Sequence, residues 1–282
     1  MTPPPLTRAL RQPDDPFRDF CQWDYDPVTP PPPGTLQQAA FLAHSLDMAP
    51  EGARLSEIFG RIRQKWQPFN TVWGVKSTAG QLTWELYFYD YDRAQRRCGI
   101  AALQDCLPDL FATDLSSADA LPWFMFSVEF DATVLTSGIS SVDLYFEAEG
   151  GTISAGQSEI WDGKQRIAKN DYRFYHGAAH RMQIEHDLRD LPPLPAPLAP
   201  GRYDEEVFVI SRKSHSNAVY FSRVTTQDTL CFARETGFHA GLVDALAKDA
   251  DAMAPYRFDL GIDYLAGPSQ GLLRRSAVYG IF

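Results

Sequence analysis

Acidic, cationic and tyrosine side chains recur at alternate positions of several strand-like segments in this sequence. In the segment 82–90, for example, Glu85, Tyr87 and Tyr89 alternate with apolar residues. Carboxylates can exchange protons, lysine and arginine can bind anions, and the faces of tyrosine rings attract cations. Side chains of a β-strand point alternately to its two faces, so these groups share one face of each strand.

The sequence predicts about ten such strands, most of them joined as antiparallel hairpins around glycine-containing turns such as 79–80. The strands are predicted at residues 72–77, 82–90, 124–131, 142–147, 153–160, 170–176, 207–212, 218–224, 257–265 and 272–281. Apolar residues at helical spacing predict helices at residues 35–46, 55–66, 94–107, 227–234 and 242–253.

The two faces of the predicted strands differ in composition, and this difference predicts a closed barrel. One face is aliphatic and rich in phenylalanine, which suits packing beneath helices. The other face has too many carboxylates for a dry core and too many large aromatic rings for a plain solvent face. A barrel with helices outside and a wet cavity inside satisfies both faces. The predicted fold class is therefore α+β, and the alternative is an open antiparallel sheet with one wet face.

Two proline-rich stretches, 27–34 and 192–201, predict stiff extended segments that cannot join a sheet. We divide the chain into an N-terminal arm with a proline-rich linker, residues 1–34, and a single α+β barrel domain, residues 35–282. The second stretch is assigned to the interior of that domain, because hairpin patterns occur on both sides of it.

The charge and composition of the chain argue against several classes of function. The net charge of −10 and the lack of a basic stripe predict that the protein does not bind nucleic acid. No apolar run approaches the roughly 20 residues of a membrane-spanning helix, and residues 1–15 do not resemble a signal peptide. We therefore expect a cytoplasmic protein with free thiols. No spacing of cysteines or histidines predicts a metal site.

The final third of the sequence resembles the ABBA prenyltransferases, and especially the short branch that prenylates ribosomal cyclic peptides. A hairpin with the sequence VFVISRKSHSNAVYFSRV is followed by a short helix that opens with TQD at residues 226–228. A second helix and a closing hairpin that ends in YGIF at residues 279–282 complete the same order. The resemblance is architectural and covers about residues 70–282. It implies a ten-stranded antiparallel barrel with outer helices and an internal active site.

The resemblance also implies an enzyme that moves an isoprenoid group from an allylic diphosphate to an aromatic or peptide acceptor. Cationic side chains would hold the diphosphate, tyrosine faces would shield the allylic cation, and Glu85 would be the general base. The candidates for substrate binding are Lys76, Arg173, Lys213, Arg257 and Arg275 for the diphosphate, with Tyr87, Tyr89, Tyr145, Tyr220 and Tyr279 for the allylic cation. Such an enzyme requires no cofactor, and Mg²⁺ is an optional partner of the diphosphate.

Acidic residues at other interior positions favour a different function. Carboxylates repel a diphosphate at close range. Those predicted on the cavity face are Glu129, Asp143, Glu147, Asp259 and Asp263. The alternative is therefore a non-catalytic protein whose acidic, tyrosine-lined cavity binds a cationic small molecule, a peptide or an oxygen-held divalent metal. A third hypothesis is a structural protein that works through its proline-rich segments, and this one predicts a filled interior.

Overall fold

Ten antiparallel strands form a closed barrel in the computed structural model, which describes residues 9–15, 29–67, 70–89, 98–149, 153–177, 180–195, 198–267 and 271–282, without the side chains of residues 147–149. The strands are β1 Thr71–Thr78, β2 Gln81–Tyr89, β3 Met125–Phe130, β4 Ser141–Glu149, β5 Ile153–Asp162, β6 Gln165–His176, β7 Val207–Arg212, β8 Asn217–Thr225, β9 Arg257–Leu265 and β10 Leu272–Ile281. Each strand pairs with its neighbours in sequence, and β10 closes the barrel against β1. The predicted fold class and strand count are confirmed, and the open-sheet alternative is wrong.

Helices lie outside this barrel, as predicted. They are α1 Ala39–Asp47, α2 Gly52–Trp66, α3 Ile100–Cys106, α4 Ala132–Ser137, α5 Arg181–Leu188, α6 Thr226–Glu235 and α7 Ala240–Met253, with 3-10 turns at Pro108–Leu110 and Ser116–Ala120. Of the predicted helix 94–107, residues 100–106 form α3, residues 98, 99 and 107 are not helical, and positions 94–97 lie outside the described residues. None of the helices in the described ranges combines the length and the apolar character that crossing a membrane requires.

The apolar core lies between the helices and the outer faces of the strands. Phe41 of α1 stacks on Trp73 of β1 at 5.7 Å between ring centroids, and Phe59 of α2 meets Phe130 of β3 edge-on at 5.1 Å. The indole nitrogen of Trp73 donates a hydrogen bond to the carbonyl oxygen of Ile281 at 2.8 Å. Burial of such a large aromatic side chain stabilises the fold by about 2–3 kcal/mol. This outer core therefore fixes which face of each strand points into the barrel.

Part of the N-terminal segment packs beside the start of the barrel domain. Leu10 pairs with Leu36 in an isolated antiparallel bridge. The backbone nitrogen of Arg11 donates to the carbonyl oxygen of Thr35 at 2.7 Å. Residues 1–8 and 16–28, which include the start of the first proline-rich stretch, lie outside the described residues. The division of the chain at residue 34 stays a prediction.

Candidate functional site

The described residues line two cavities inside the barrel, towards opposite ends of the strands. The larger has a volume of about 510 Å³, is lined mainly by polar and charged side chains, and reaches the turn between β7 and β8. We call it the charged chamber. The smaller has a volume of about 130 Å³ and is lined in part by Val72, Met125, Phe174 and Val209. We call it the apolar chamber. The filled interior that the third hypothesis predicts is not observed.

Five tyrosines form a closed ring between the two chambers. Tyr87 lies 6.1 Å from Tyr145, which lies 6.1 Å from Tyr172, measured between ring centroids. Tyr220 lies 6.5 Å from Tyr172 and 6.4 Å from Tyr279, and Tyr279 returns to Tyr87 at 5.8 Å. The five come from β2, β4, β6, β8 and β10, because inward-pointing side chains of alternate barrel strands lie in one layer.

Each ring tyrosine has a glycine or serine as its partner on a neighbouring odd-numbered strand. Tyr279 pairs with Gly74, Tyr87 with Ser127, Tyr145 with Ser158, Tyr172 with Ser211 and Tyr220 with Gly261. The small partners therefore alternate with the large rings around the barrel. This alternation leaves room for five rings in a layer that ten large side chains would overfill.

The two glycines show how closely the rings approach the barrel wall. A Cβ atom added at Gly74 would lie 2.7 Å from Cε1 of Tyr279, and one added at Gly261 would lie 2.7 Å from Cδ1 of Tyr220. Glycine inside a strand marks such a close approach of another group to the backbone. The rings of Tyr220 and Tyr279 therefore lie against the barrel wall. Any residue larger than glycine at position 74 or 261 would occupy the space that these rings fill.

Lys76 is the centre of the first group of charges in the charged chamber. Its ammonium group forms an ion pair with Glu85 at 2.6 Å and a second ion pair with Glu129. Glu85 also accepts hydrogen bonds from the hydroxyl groups of Tyr87 and Ser127, each at 2.5 Å. The carboxylate of Glu85 therefore holds three donors, and it joins the lysine to the tyrosine ring.

Arg275 and Lys213 complete the network around Asp263. The guanidinium group of Arg275 donates to Asp263 at 2.7 and 3.0 Å and to Glu129 at 3.2 Å. Lys213 donates to Asp263 at 2.7 Å, and its ammonium group lies 5.6 Å from the ring centroid of Tyr220. Three cations and three carboxylates thus alternate in one network, whose formal charge is zero.

The cations determine the protonation of their acidic partners. The ammonium group of Lys76 and, to a smaller extent, the guanidinium group of Arg275 lower the pKa of Glu129 to about 2. They do so although half of the Glu129 side chain is exposed. Burial by itself would raise the pKa of Asp263, but Lys213 and Arg275 lower it to about 2. Both carboxylates are therefore ionised at neutral pH, and their attraction to the cations holds the network together.

The ring tyrosines remain neutral hydrogen-bond donors. Burial, reinforced by the charge of Glu85, raises the pKa of Tyr87 well above its ordinary value. Burial also raises the pKa of Tyr145, Tyr172, Tyr220 and Tyr279. The face of a neutral phenol ring carries partial negative charge from the ring quadrupole, and the ring adds no formal charge to the barrel interior.

The structure brings most of the predicted site residues together. Those that line the charged chamber are Glu85, Lys76, Lys213, Arg275, Tyr87, Tyr145, Tyr220 and Tyr279. Tyr89 lines the apolar chamber instead, 6.4 Å from the ring of Phe124. It therefore lies outside the ring of five.

The predicted interior position of Arg173 is wrong. Arg173 lies on the outer face of β6, its side chain is 57% exposed, and it pairs with Asp187 of α5 at 2.5 Å. Its neighbour Tyr172 points inward and completes the ring. The strand phase was wrong by one residue in β6, and such a slip turns every side chain of a strand to the opposite face.

Arg257 is also separated from the other candidate cations. It opens β9 opposite Thr225, at the end of the strand remote from Asp263. Its guanidinium group lies 3.4 Å from the carbonyl oxygen of Tyr256. The prediction that groups Arg257 with Lys76, Lys213 and Arg275 is therefore wrong in position.

Three of the predicted interior acids line the charged chamber, namely Glu129, Asp143 and Asp263. Asp259 lines the apolar chamber, where it accepts hydrogen bonds from Ser222 and from the backbone nitrogen of Arg223. The side chain of Glu147 lies outside the described ones. The described part of the chain contains no group of three or more acidic, histidine or cysteine side chains placed to hold a metal ion.

Sequence reasoning missed several residues of the charged chamber, among them Tyr172, Asn170 and Arg274. A β-bulge in β10 brings the adjacent Arg274 and Arg275 to the same cavity, because it shifts the strand register between Leu273 and Arg275. The serine and glycine partners of the tyrosines were visible in the sequence only as small residues inside strands.

Comparison with known proteins does not assign this chain to a family. The chain matches no family model, and no curated protein is detectably similar to it in sequence.

Proposed function

We propose that the protein transfers an isoprenoid group from an allylic diphosphate to an aromatic or peptide acceptor inside the barrel, as an ABBA-type prenyltransferase does. The observation that carries this proposal is the closed ring of five tyrosines beside three buried or partly buried cations. The reaction needs both parts, because a cationic carbon and an anionic leaving group separate within a few ångströms of each other.

The tyrosine ring suits the allylic cation. Neighbouring rings about 6 Å apart enclose a point roughly 5 Å from each centroid, which is within the ~6 Å range of cation–π attraction. Neutral phenols cannot attack the cation as strongly as phenolates would, and the raised pKa of these tyrosines keeps them neutral. An isoprenoid carbon at this point would be stabilised and separated from bulk water.

The positive charges of the three cations suit the diphosphate leaving group, provided that the diphosphate shares them with their carboxylate partners. Lys76, Lys213 and Arg275 already have carboxylate partners, so a diphosphate must share them with Glu129 and Asp263. Lysine and arginine bind phosphate oxygens strongly. Because the network is formally neutral, binding is favoured when Mg²⁺ cancels two charges of the diphosphate. Magnesium enters this proposal as a counter-ion of the donor, and the carboxylate oxygens of Glu129 and Asp263 are of the type that it accepts.

Calorimetry with dimethylallyl and geranyl thiolodiphosphate, with and without magnesium, tests the proposal directly. We expect micromolar binding that strengthens with magnesium. Lys213→Ala and Lys76→Ala should each weaken it by about tenfold or more, because each removes a charge-assisted hydrogen bond. Arg173→Ala is the matched control, since it removes an exposed cation outside the barrel. An absence of binding by the folded wild-type protein under both conditions would contradict the proposal.

A second candidate function is non-catalytic binding of an organic cation or a peptide in the same chamber. The observation that favours it is the charge balance, since the three cations are matched by three carboxylates and Asp143 adds a fourth acid. The tyrosine faces would attract an ammonium group as they would an allylic cation. Binding of tyramine, without binding of inorganic diphosphate or of the thiolodiphosphates, would favour this function over the transferase.

A further inference from the structure

Asp143 lines the charged chamber but, unlike Glu85, Glu129 and Asp263, forms no ion pair with the described cations. It lies on β4, two residues before Tyr145 on the same face, and so about 7 Å from that ring tyrosine along the strand. Its side chain lines the charged chamber and is partly exposed to it. Its Oδ1 atom is shielded and accepts no hydrogen bond from any described residue.

Glu85, the other carboxylate near the tyrosine ring, is in the opposite situation. Tyr87 and Lys76 contact its Oε2 atom at 2.5 and 2.6 Å, and Ser127 donates to its Oε1 atom at 2.5 Å. Three donors, one of them a cation, occupy lone pairs of this carboxylate. Glu85 is therefore held in a fixed position, from which it orients Tyr87 and Lys76.

The surroundings of Asp143 favour a bound proton. Burial and then the negative charge of Glu85 raise its pKa, whereas the hydroxyl groups of Ser158 and Tyr145 and the more distant Lys213 lower it, which leaves it at about 7. A shielded carboxylate oxygen without a donor is costly when charged, so a bound proton relieves it. A group of this kind can both take up and release a proton near neutral pH.

We propose that Asp143, rather than Glu85, accepts the proton that the acceptor loses during transfer, and that Glu85 acts as a positioning residue. This inference rests on the proposed function and assigns a role within it. Asp143 lies on the charged side of the tyrosine ring, and the nucleophile must approach the allylic carbon beside that ring.

The atoms and electrons of this step balance without another reactant. The bond between C1 of the isoprenoid and the bridging oxygen breaks, and the diphosphate leaves with the electron pair. An electron pair of the aromatic carbon or heteroatom of the acceptor forms the new bond to the isoprenoid. The proton displaced from that atom passes to the carboxylate of Asp143, which then releases it to water through the open chamber.

A titration of the protein with ¹³C-labelled aspartate carboxyl groups tests the proton affinity without any substrate. The Asp143 signal is assigned by its loss in Asp143→Asn or Asp143→Ser. We expect a midpoint near 7. We expect Glu85→Gln to move that midpoint downwards, because it removes the negative charge that opposes ionisation of Asp143. A midpoint below about 5 in the wild-type protein would overturn the inference.

Turnover of dimethylallyl diphosphate tests the role, with N-acetyltyrosinamide, N-acetyltryptophanamide and water as probe nucleophiles. Asp143→Asn should lower product formation by about 100-fold or more. It should also abolish the increase of the rate with pH through about 7, while its affinity for the thiolodiphosphates stays within about threefold of wild type. A larger loss of turnover in Glu85→Gln than in Asp143→Asn would overturn this inference alone. A wild-type protein that neither binds the thiolodiphosphates nor turns over the donor would overturn the proposed function and the inference together.

Discussion

The two chambers on either side of the tyrosine ring are stabilised by different forces. In the charged chamber, three cationic and three acidic side chains form ion pairs with one another, so the burial of each charge is stable only while its partners are present. In the apolar chamber, side chains such as Met125, which is 2% exposed, contribute by packing. The charged chamber should therefore respond to pH and to the loss of a single charge, whereas the packed apolar side chains of the apolar chamber should respond to a change of volume.

Removing one cation should have the largest effect. Lys76→Met leaves Glu85 without its cationic partner and Glu129 with only Arg275, and we expect the free energy of unfolding at pH 7 to fall by about 3–5 kcal/mol. Urea denaturation measures this. Lys76→Met combined with Glu129→Gln should recover part of the loss, because it also removes one of the two acids that Lys76 contacts. A loss below about 1 kcal/mol in the single variant would show that the ion pairs contribute little.

Removing volume from the apolar chamber should have a similar but pH-independent effect. We expect Met125→Ala to lower the free energy of unfolding by about 2–4 kcal/mol, because it leaves a cavity in a packed wall. The loss should be the same at pH 5 and pH 8. Met125→Leu, which conserves volume, should cost less than about 1.5 kcal/mol. A loss that changes strongly with pH would remove the distinction between the two chambers.

Filling the space behind a ring tyrosine tests the boundary between the chambers. Gly261→Ala places a methyl group where the rings of Tyr220 and Tyr279 now lie, and we expect it to cost about 1–3 kcal/mol. Ser211→Ala is the matched control at the equivalent position beside Tyr172. It should be neutral or slightly stabilising, because the Ser211 hydroxyl is buried without a partner among the described residues. Equal effects of the two variants would contradict the alternating packing of the ring.

Neutralising Asp143 should stabilise the protein above about pH 4, and the gain should reach its full size near pH 7. The pKa of this acid is raised from 3.8 to about 7 by folding, so the folded state binds a proton more tightly than the unfolded state does. Stability is therefore lost progressively as pH rises from about 3.8 to about 7. We expect Asp143→Asn to match wild type near pH 4 and to exceed it at pH 8 by on the order of 2 kcal/mol, after allowance for exposure to the cavity. Thermal unfolding across this range would show a constant difference if the acid were ordinary.

An exposed ion pair outside the barrel should show the smallest effect. Arg173→Ala breaks the pair with Asp187, yet more than half of the arginine side chain is exposed. Such pairs contribute about 1 kcal/mol or less. Comparison with Arg275→Ala, which removes a cation shared by Asp263 and Glu129, separates the inner network from the surface charges. Equal losses in the two variants would contradict that separation.

The strands were predictable because each alternates between an apolar and a polar face, and this pattern survives in the folded barrel. The exception was β6, where the run from Asp171 to Tyr175 contains aromatic residues on both faces. Tyr172 and Phe174 point inward, whereas Tyr175 is buried on the outside and donates to Asp187. Alternation by itself cannot choose between two aromatic faces, so Arg173 was assigned to the wrong side.

The features that sequence reasoning missed depend on register or on tertiary contacts. The β10 bulge that brings Arg274 and Arg275 to one cavity leaves no mark in the local pattern. Helix α4 has only six residues and includes Thr133 and Val134, whose branched side chains disfavour a helix. Helix α5 buries only Ile184 among its residues, so it lacks an apolar stripe. The pairing of each ring tyrosine with a glycine or serine requires the strand register, which one sequence does not supply.

Closure of the barrel restricts how a peptide acceptor could approach. Every described strand is hydrogen-bonded on both sides, so the strands present no open edge onto which an extended peptide could add as a further strand. Tyr279 in the ring lies four positions after Arg275 in the charged chamber, about 13 Å along β10. Under the proposed function, a peptide acceptor would therefore have to present its reacting side chain at a narrow tip. A cyclic or sharply turned peptide has such a tip at its bend, whereas an extended chain has one only at its terminus.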